Sequence, residues 1–281
     1  MKILCLADLH MVLDPRYDVY RGDYQKEVII PGINNTINKN PDIAFIVIAG
    51  DVFEDVVDCY RCNEINADVN PFTFLHKMCP TVPIVFCLGN HEFANSSIDL
   101  THRAFAHSYD IFKTIFPDGQ VYCLDLCGKY TTLKEGDKVN VVGNVLWYDG
   151  LCSDRADREK LLNEISDRWL DHSIRGFNAT REAQNCVKQI RDNLIEDCTN
   201  ILVTHCVPHR DLNAHDPNSF ANVYSGFGNL FKDHNIKVDW AICGHTHLPV
   251  SKEIIVGNYN VNCINVGQDY FNGLKHRFIE T

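Results

Sequence analysis

Residues 43–51 of this chain read IAFIVIAGD. Seven apolar residues, three of them β-branched isoleucines and one a valine, are followed at once by a glycine and a carboxylate. A short apolar run of this composition is typical of a β-strand. The stretch therefore predicts a strand over residues 43–49 that carries Asp51 just beyond its end.

Similar apolar runs recur on both sides of this stretch, spaced by longer amphipathic segments. The pattern predicts strands that alternate with helices. Predicted strands cover residues 2–7, 43–49, 83–88, 139–146, 201–204 and 240–243. Residues 254–256 and 260–266 form a predicted hairpin, because Gly257 and Asn258 lie between them.

Four amphipathic segments supply the predicted helices. They cover residues 24–38, 101–116, 158–172 and 181–198. Either Asn178 or Thr180 is expected to cap the last helix with a side-chain oxygen. With no repeat or linker in view, we expect one α/β domain over residues 1–281, with helices outside two sheets.

The composition restricts the class of protein. The chain has 281 residues, of which 45% are apolar and 22% charged, as in a soluble enzyme or binding domain. No run approaches the roughly 18 to 20 apolar residues of a membrane-spanning helix. The start MKILCLADLH lacks a secretory signal, and thirteen cysteines are a poor disulfide framework. We therefore expect a cytoplasmic protein that has free thiols and no membrane partner.

The charge balance bears on the partners. A formal charge of −11 argues against a protein that grips long nucleic acid, because that task usually requires basic patches. The same charge fits a site that recruits metal cations.

Polar residues follow five of the predicted strands directly. They are Asp8 and His10, Gly50 and Asp51, Gly89 to Glu92, His205, and Gly244 to His247. Ligands of open α/β sheets bind beyond the carboxyl ends of the strands, so we expect these groups to converge. Adjacent polar groups at a strand end are poor core material unless they are bonded to something.

The chemistry of these groups is coherent. Two carboxylates, one amide oxygen and four imidazoles suit manganese, iron or zinc, and thiolates are absent from these positions. Glycines precede Asp51, Asn90 and His245, and we expect them to permit tight turns that swing each side chain back over the strand edge. The residues therefore predict a metal site.

Taken in order, the five blocks resemble those of the calcineurin-like metallophosphoesterases. That family has the pattern D-x-H, G-D, G-N-H-[DE], H and G-H-x-H, and the matching residues extend from 8 to 247. The resemblance implies an α/β fold, a four-layer α/β/β/α sandwich with two central mixed sheets. It also implies two divalent metal ions, with manganese expected and iron, zinc or another divalent ion as alternatives.

The resemblance also assigns roles to individual residues. One metal would be held by Asp8, His10 and His247. The second would be held by Asn90, His205 and His245, and Asp51 would bridge both. His91 would be the catalytic residue, a general acid or transition-state stabiliser that binds no metal.

These assignments predict a dinuclear metal phosphohydrolase. Two dications about 3.5 to 4 Å apart neutralise phosphoryl oxygens and lower the pKa of a bridging water, so a bridging hydroxide would attack in line. His91 would give a proton to the leaving oxygen. The expected substrate is a small phosphomonoester or phosphodiester, with a nucleotide as one candidate.

Other functions stay open. A DNA or RNA exonuclease of the same superfamily is the first alternative, because GDVF at residues 50–53 echoes its GD-x-F pattern; the acidic charge counts against it. A non-catalytic scaffold that retains the fold is the second, and the complete ligand set with His91 counts against that. The longer signatures of Ser/Thr phosphatases are missing around Gly50 and Asn90.

Several further residues allow more than one interpretation. Glu54 and Asp55 orient His91, contact a metal ligand or are surface charges, and Glu92 is either a partner of the site or a helix-start acid. His209 and Arg210 either contact a substrate phosphate or form a solvated turn. Cys59 and Cys62 have C-x-x-C spacing, but no second pair accompanies them to complete a four-ligand zinc site.

Overall fold

Two β-sheets form the centre of this protein. The computed structural model describes residues 1–14, 16, 18–134, 136–267 and 273–281. The strands are β1 (Lys2–Leu6), β2 (Ile43–Ala49), β3 (Ile84–Cys87), β4 (Val121–Cys123), β5 (Lys129–Lys134), β6 (Asp137–Asn144), β7 (Thr199–Thr204), β8 (Trp240–Cys243), β9 (Val250–Val256), β10 (Tyr259–Asn265) and β11 (Arg277–Glu280).

Both sheets are mixed, as expected. The first has the order β11-β1-β2-β3-β4, in which β1 to β4 are parallel and β11 is antiparallel to β1. The second has the order β5-β6-β7-β8-β10-β9. Its central strands are parallel, while β5 and β9 form antiparallel hairpins with β6 and β10. The predicted hairpin is therefore confirmed, although its first strand is longer than expected.

Helices accompany both sheets. The α-helices are α1 (Val19–Tyr24), α2 (Ile30–Lys39), α3 (Val56–Arg61), α4 (Pro71–Met78), α5 (Asn90–Phe93), α6 (Ile98–Ile115), α7 (Leu124–Cys127), α8 (Arg158–Asn163), α9 (Ala179–Asn193) and α10 (Leu230–Asp233). A π-helical turn, Gln25–Ile29, joins α1 to α2. Short 3₁₀ turns occupy Leu170–Ser173, Arg210–Leu212 and Phe220–Tyr224.

The alternation of side chains along the strands builds the layers. In β1, Ile3 and Cys5 belong to the core between the sheets, together with Val203 and Ile242 of the second sheet. Leu4 and Leu6 point the opposite way, into the larger apolar core that also contains residues of the helices. Since side chains alternate across a strand, one sequence serves both layers. The four-layer α/β/β/α sandwich is confirmed.

Parallel pairing aligns the strand ends that carry the polar motifs. Leu6 of β1 pairs with Ile48 of β2, and Ala49 of β2 pairs with Cys87 of β3. In the second sheet, Val203 of β7 pairs with Ile242 of β8. The carboxyl ends of five strands therefore reach one edge of the sandwich.

The helix predicted over residues 158–172 is wrong in its second half. Helix α8 ends at Asn163, and the chain then forms a 3₁₀ turn at Leu170–Ser173. Asp171 in that turn is fully buried and bonded to residues distant in sequence. Its tertiary contacts override the local helix preference of a charged segment. The sequence pattern also missed α3, α4 and three short strands, β4, β5 and β11.

All thirteen cysteines lie in the described part of the chain, and all are free. Across the described residues, no helix combines the length and the apolar character that crossing a bilayer requires.

Asn178 caps helix α9, which settles a choice that the sequence left open. Its side chain accepts a hydrogen bond from the backbone N–H of Arg181 at 2.9 Å. We expect Asn178→Ala to lower the free energy of unfolding by about 1 kcal/mol, measured by chemical denaturation. Thr180→Ala, an exposed site within the helix, is the matched control and should change it by less than about 0.5 kcal/mol. Equal losses in both variants would contradict the assignment.

Candidate metal centre

The loops that follow the strands are hydrogen-bonded to one another in pairs. The N–H of Asp8 donates to the carbonyl of Gly50 at 3.1 Å, and the N–H of His10 donates to the carbonyl of Asp51 at 2.9 Å. On the other sheet, the N–H of Gly244 donates to the carbonyl of His205 at 3.0 Å. These backbone bonds bring four of the five motifs into two rigid pairs.

Two carboxylates then join the motifs across the edge. Asp8 Oδ1 accepts the backbone N–H of His245 at 3.0 Å, which links the two sheets. Asp51 Oδ1 accepts the backbone N–H of His91 at 3.0 Å. Each carboxylate thus uses one oxygen to hold a neighbouring motif in place.

A first group of donor atoms lies on one side of Asp51. Donor atoms of Asp8, His10 and His247 all lie within 4.8 Å of one another, and so do those of His10, Asp51 and His91. The rings of His10 and His247 are stacked, with centroids 5.7 Å apart. Such a group could hold a metal ion.

A second group surrounds the His205 ring on the other side of Asp51. His205 Nε2 lies 2.9 Å from Asn90 Oδ1, 3.0 Å from His245 Nδ1 and 3.3 Å from Asp51 Oδ2. Four donor atoms from four different motifs therefore lie close together. The same Asp51 oxygen lies 3.9 Å from His10 Nε2, so it borders both groups.

The donor set fits divalent cations. Its oxygen and nitrogen atoms belong to carboxylates, an amide and imidazoles, which suit manganese, iron or zinc. Asp8, Asp51 and His205 are almost completely buried. Buried carboxylates are costly without an opposing charge, and cations held by these atoms would supply it. All seven predicted ligands are thus brought together.

The backbone at these positions is strained. Positive φ angles occur at Asp8 (52°), His10 (46°), Asp51 (50°), His245 (70°) and His247 (55°). A residue other than glycine held in this region costs of order 1–3 kcal/mol, and such residues cluster at functional sites. All five residues lie in the loops directly after the ends of strands β1, β2 and β8.

Comparison with known families agrees with this geometry. A family model described as calcineurin-like phosphoesterase matches residues 1–249. The chain belongs to the calcineurin-like phosphoesterase family. Membership makes it a metal-dependent phosphoesterase, and the five motifs lie within the matched region. No curated protein sequence matches the chain significantly.

Three solved structures are similar to this chain to different degrees. The phosphopantetheinyl hydrolase of Mycobacterium tuberculosis superposes with a TM-score of 0.57 at 14% identity, over 96% of this chain and 89% of that one. A putative 5'-nucleotidase from Staphylococcus aureus gives 0.49 at 15% identity, over 98% and 52% of the two chains. A dimetal phosphatase from Danio rerio gives 0.48 at 13%, over 95% and 87%.

Glu54 of this phosphoesterase connects two of the predicted site residues. Its carboxylate contacts His10 Nδ1 at 2.7 Å and His91 Nδ1 at 3.1 Å, and it also pairs with Arg21. These contacts favour a residue that orients His91 and contacts the proposed ligand His10 over a surface charge. Asp55 instead accepts the backbone N–H groups of Leu13 and Asp14 and shapes a loop.

Glu92 fastens the loop that carries Asp51. Its Oε1 accepts the N–H groups of Val52 at 2.6 Å and Phe53 at 2.9 Å, while Oε2 accepts the N–H of Gly89 at 2.7 Å. Burial and the charge of Asp51 raise the pKa of Glu92 to about 8. Glu92 therefore ties the second motif to the third, a role that its helix-start position alone does not reveal.

Burial and charge set the protonation of the imidazoles. Burial would lower the pKa of His91, but Asp51 and Glu54 outweigh it and raise that pKa to about 9. The pKa of His205 is raised to about 9 in the same way, chiefly by Asp51. Burial and the neighbouring His205 lower the pKa of His245 to about 3. The carboxylates around His91 and His205 therefore favour positive charge at both positions.

The other candidate residues have contacts elsewhere. His209 Nδ1 accepts the N–H of Asp211 at 3.1 Å, and Arg210 pairs with Asp154 at 2.7 Å, which favours a solvated turn. Cys59 is buried with its sulfur 3.8 Å from Asp55 Oδ2, and Cys62 is exposed. These contacts connect neither His209 and Arg210 nor Cys59 and Cys62 to the donor groups.

Sequence reasoning missed one polar residue beside the donor groups. Asp171 Oδ1 accepts a hydrogen bond from Asn90 Nδ2 at 2.9 Å. The sequence around it is a charged segment that predicts a helix, and a lone acid there gives no signal. Only the path of the chain after α8 places it at the site.

The glycines of the motifs serve two different purposes. Gly50 has a φ of 79° and permits a turn, as expected. Gly89 has a φ of −118°, so the expected reason is wrong there. A Cβ at position 89 would lie 2.1 Å from Asp51 Oδ1, and the glycine is required for space.

We therefore expect Gly89→Ala to displace the Asp51 carboxylate and weaken metal binding by about 10- to 100-fold, measured by equilibrium dialysis. Gly257→Ala is the control, because a Cβ at that hairpin turn meets nothing within 4 Å. Its φ of 62° should cost about 1–2 kcal/mol of stability and leave metal binding unchanged. Normal metal affinity in Gly89→Ala would refute the spatial argument.

Proposed function

We propose that this chain is a dinuclear metal phosphohydrolase that cleaves a small phosphomonoester or phosphodiester. Asp8, His10 and His247 would hold one divalent ion, and Asn90, His205 and His245 the other. The position of Asp51 carries the proposal. Its Oδ2 lies 3.9 Å from His10 Nε2 and 3.3 Å from His205 Nε2, so a single carboxylate borders both donor groups.

The donor groups define what bound metals would contribute. Two dications in a site of this kind neutralise phosphoryl oxygens and make a water nucleophilic at neutral pH. Manganese is the expected ion, with iron or zinc as alternatives. The chain itself supplies the geometry, because the carboxylates of Asp8 and Asp51 accept the backbone N–H groups of His245 and His91 and so hold the motifs in register.

His91 is proposed to hold and deliver a proton. Glu54 contacts Nδ1 of the ring, and Nε2 lies 3.9 Å from Asp51 Oδ2, next to both donor groups. The Asp51 and Glu54 carboxylates outweigh burial and raise the pKa of the ring, which favours its protonated form. A protonated imidazole there stabilises the phosphoryl charge and protonates the departing alkoxide.

The proposed substrate is small, and a nucleotide is one candidate. The formal charge of −11 disfavours electrostatic capture of a long polyanion. An exonuclease, which must bind such a polyanion, is therefore the less favoured alternative. A non-catalytic scaffold is disfavoured by the strain held at five site residues, which would serve no purpose without ligands.

We also propose that residues 1–281 form a single domain and that the protein is cytoplasmic. A single domain over residues 1–281 is supported by strand β11, which returns to pair with β1. A cytoplasmic location is supported by the thirteen free cysteines, since thiols persist in reducing compartments.

The dinuclear assignment predicts two metal ions per chain after reconstitution with manganese and removal of loosely bound metal. Asp51→Asn should lose metal and phosphoesterase activity together, because it removes the charge shared by both donor groups. Elemental analysis and hydrolysis of a chromogenic ester measure the two effects. Wild-type protein that retains no metal and hydrolyses no ester would refute the function.

The substrates are distinguished in the same assays. A panel of small monoesters, diesters and nucleotides should be turned over faster than long duplex DNA at physiological salt. Efficient degradation of duplex ends with small esters ignored would favour the exonuclease.

The role of His91 predicts that rate and metal content separate. His91→Ala should keep its metals while kcat falls by about 10²-fold or more on esters with poor leaving groups. The loss should shrink for nitrophenyl esters, whose leaving group departs without a proton. His107→Ala, at an exposed histidine of helix α6, is the control and should match the wild type. Loss of metal in His91→Ala would make His91 a ligand or a structural residue.

A further inference from the structure

Asp171 is an acid outside the five motifs that touches one of the proposed ligands. It lies in the 3₁₀ turn Leu170–Ser173 and is fully buried. Its carboxylate receives hydrogen bonds from Asn90 Nδ2, Tyr148 OH and Trp169 Nε1, each at 2.9 Å. Three donors from separate parts of the chain therefore fix the position of this carboxylate.

The partners divide unequally between the two oxygens. Tyr148 and Trp169 both donate to Oδ2, which leaves Oδ1 to the amide of Asn90. The indole N–H of Trp169 can only donate. Burial raises the pKa of Asp171, but the hydrogen bonds from Asn90, Tyr148 and Trp169 oppose this rise and favour the ionised carboxylate, which can only accept. Oδ1 of Asp171 can therefore form a hydrogen bond only with a donor of Asn90, which is the NH₂ group of its amide.

The orientation of this amide matters for the metal. The two ends of an asparagine amide are nearly equal in shape, so packing alone barely distinguishes them. Because Nδ2 faces Asp171, Oδ1 faces His205 Nε2 at 2.9 Å, within the second donor group. Rotation by a half turn would present an NH₂ group, which has no lone pair suited to a cation.

We infer that Asp171 is a positioning residue that selects the metal-binding orientation of the Asn90 amide. The inference rests on the proposed function, because it assigns Asn90 to the second metal. Tyr148 and Trp169 act indirectly, because their hydrogen bonds to Oδ2 hold the Asp171 carboxylate so that Oδ1 faces Asn90.

The isosteric change Asp171→Asn tests this directly. Tyr148 and Trp169 both donate, so they retain the oxygen of the introduced amide at the Oδ2 position and direct its NH₂ group toward Asn90. The Asn90 side chain should then turn its own oxygen to that NH₂ group and present its NH₂ group to the metal. We expect affinity for one of two manganese ions to fall by about 10- to 100-fold, measured by equilibrium dialysis.

A double variant that exchanges the two residue types provides the decisive test. In the double variant Asp171→Asn with Asn90→Asp, the new carboxylate at position 90 accepts from the amide at position 171 and still presents an oxygen to the metal. Metal affinity should return to within a few-fold of the wild type. Asn90→Asp alone places two carboxylates face to face, so it should bind metal less well than the exchange variant.

Asp149→Asn is the matched control, because this half-buried carboxylate accepts the backbone N–H groups of Leu151 at 2.8 Å and Gly228 at 3.1 Å, and metal affinity should stay at the wild-type value. Thermal unfolding of the metal-free proteins records any general loss of stability. Metal affinity in Asp171→Asn equal to the wild type would overturn the inference while leaving the dinuclear site intact. Equal losses in Asp171→Asn and the exchange variant would also overturn it. A wild type that binds no metal would instead refute the proposed function, and the inference with it.

Discussion

The burial of the Asp51 carboxylate between two groups of donor atoms is the constraint on which the site depends. A charge in this position is costly unless its neighbours compensate, so the surrounding chain is built around it. Glu92 accepts the backbone N–H group of Val52, the residue after Asp51. His91 donates its backbone N–H group to Asp51 Oδ1, and Gly89 leaves room for that oxygen. These contacts leave the second oxygen directed at His10 and His205.

The sandwich supplies the rigidity that this arrangement needs. Five site residues have positive φ angles, and each costs about 1–3 kcal/mol. Such strain persists only where the surroundings over-determine the conformation. The parallel pairing of β1, β2 and β3 and the apolar core between the sheets provide that support, because a shift of any strand would move its motif away from the others.

Glu54 and Asp171, two acids outside the metal-binding positions, contact different residues of the site. Glu54 contacts His10 and His91, and so links a proposed ligand to the proposed proton donor. Asp171 accepts a hydrogen bond from Asn90, a member of the second donor group. Partners of this kind orient ligands and tune a metal site, so the chemistry of the phosphoesterase extends beyond its motifs.

The sequence alone determined the main strands, the order of the five motifs and the candidate ligands, because apolar runs and the polar residues that follow them are local signals. It did not reveal the roles of Glu92 and Gly89, nor the position of Asp171. Their partners lie on other elements: Asp171 bonds Asn90 and Tyr148, and a Cβ at Gly89 would strike Asp51. Only the tertiary structure decided these roles, since distances between segments far apart in the chain arise when the two sheets pack.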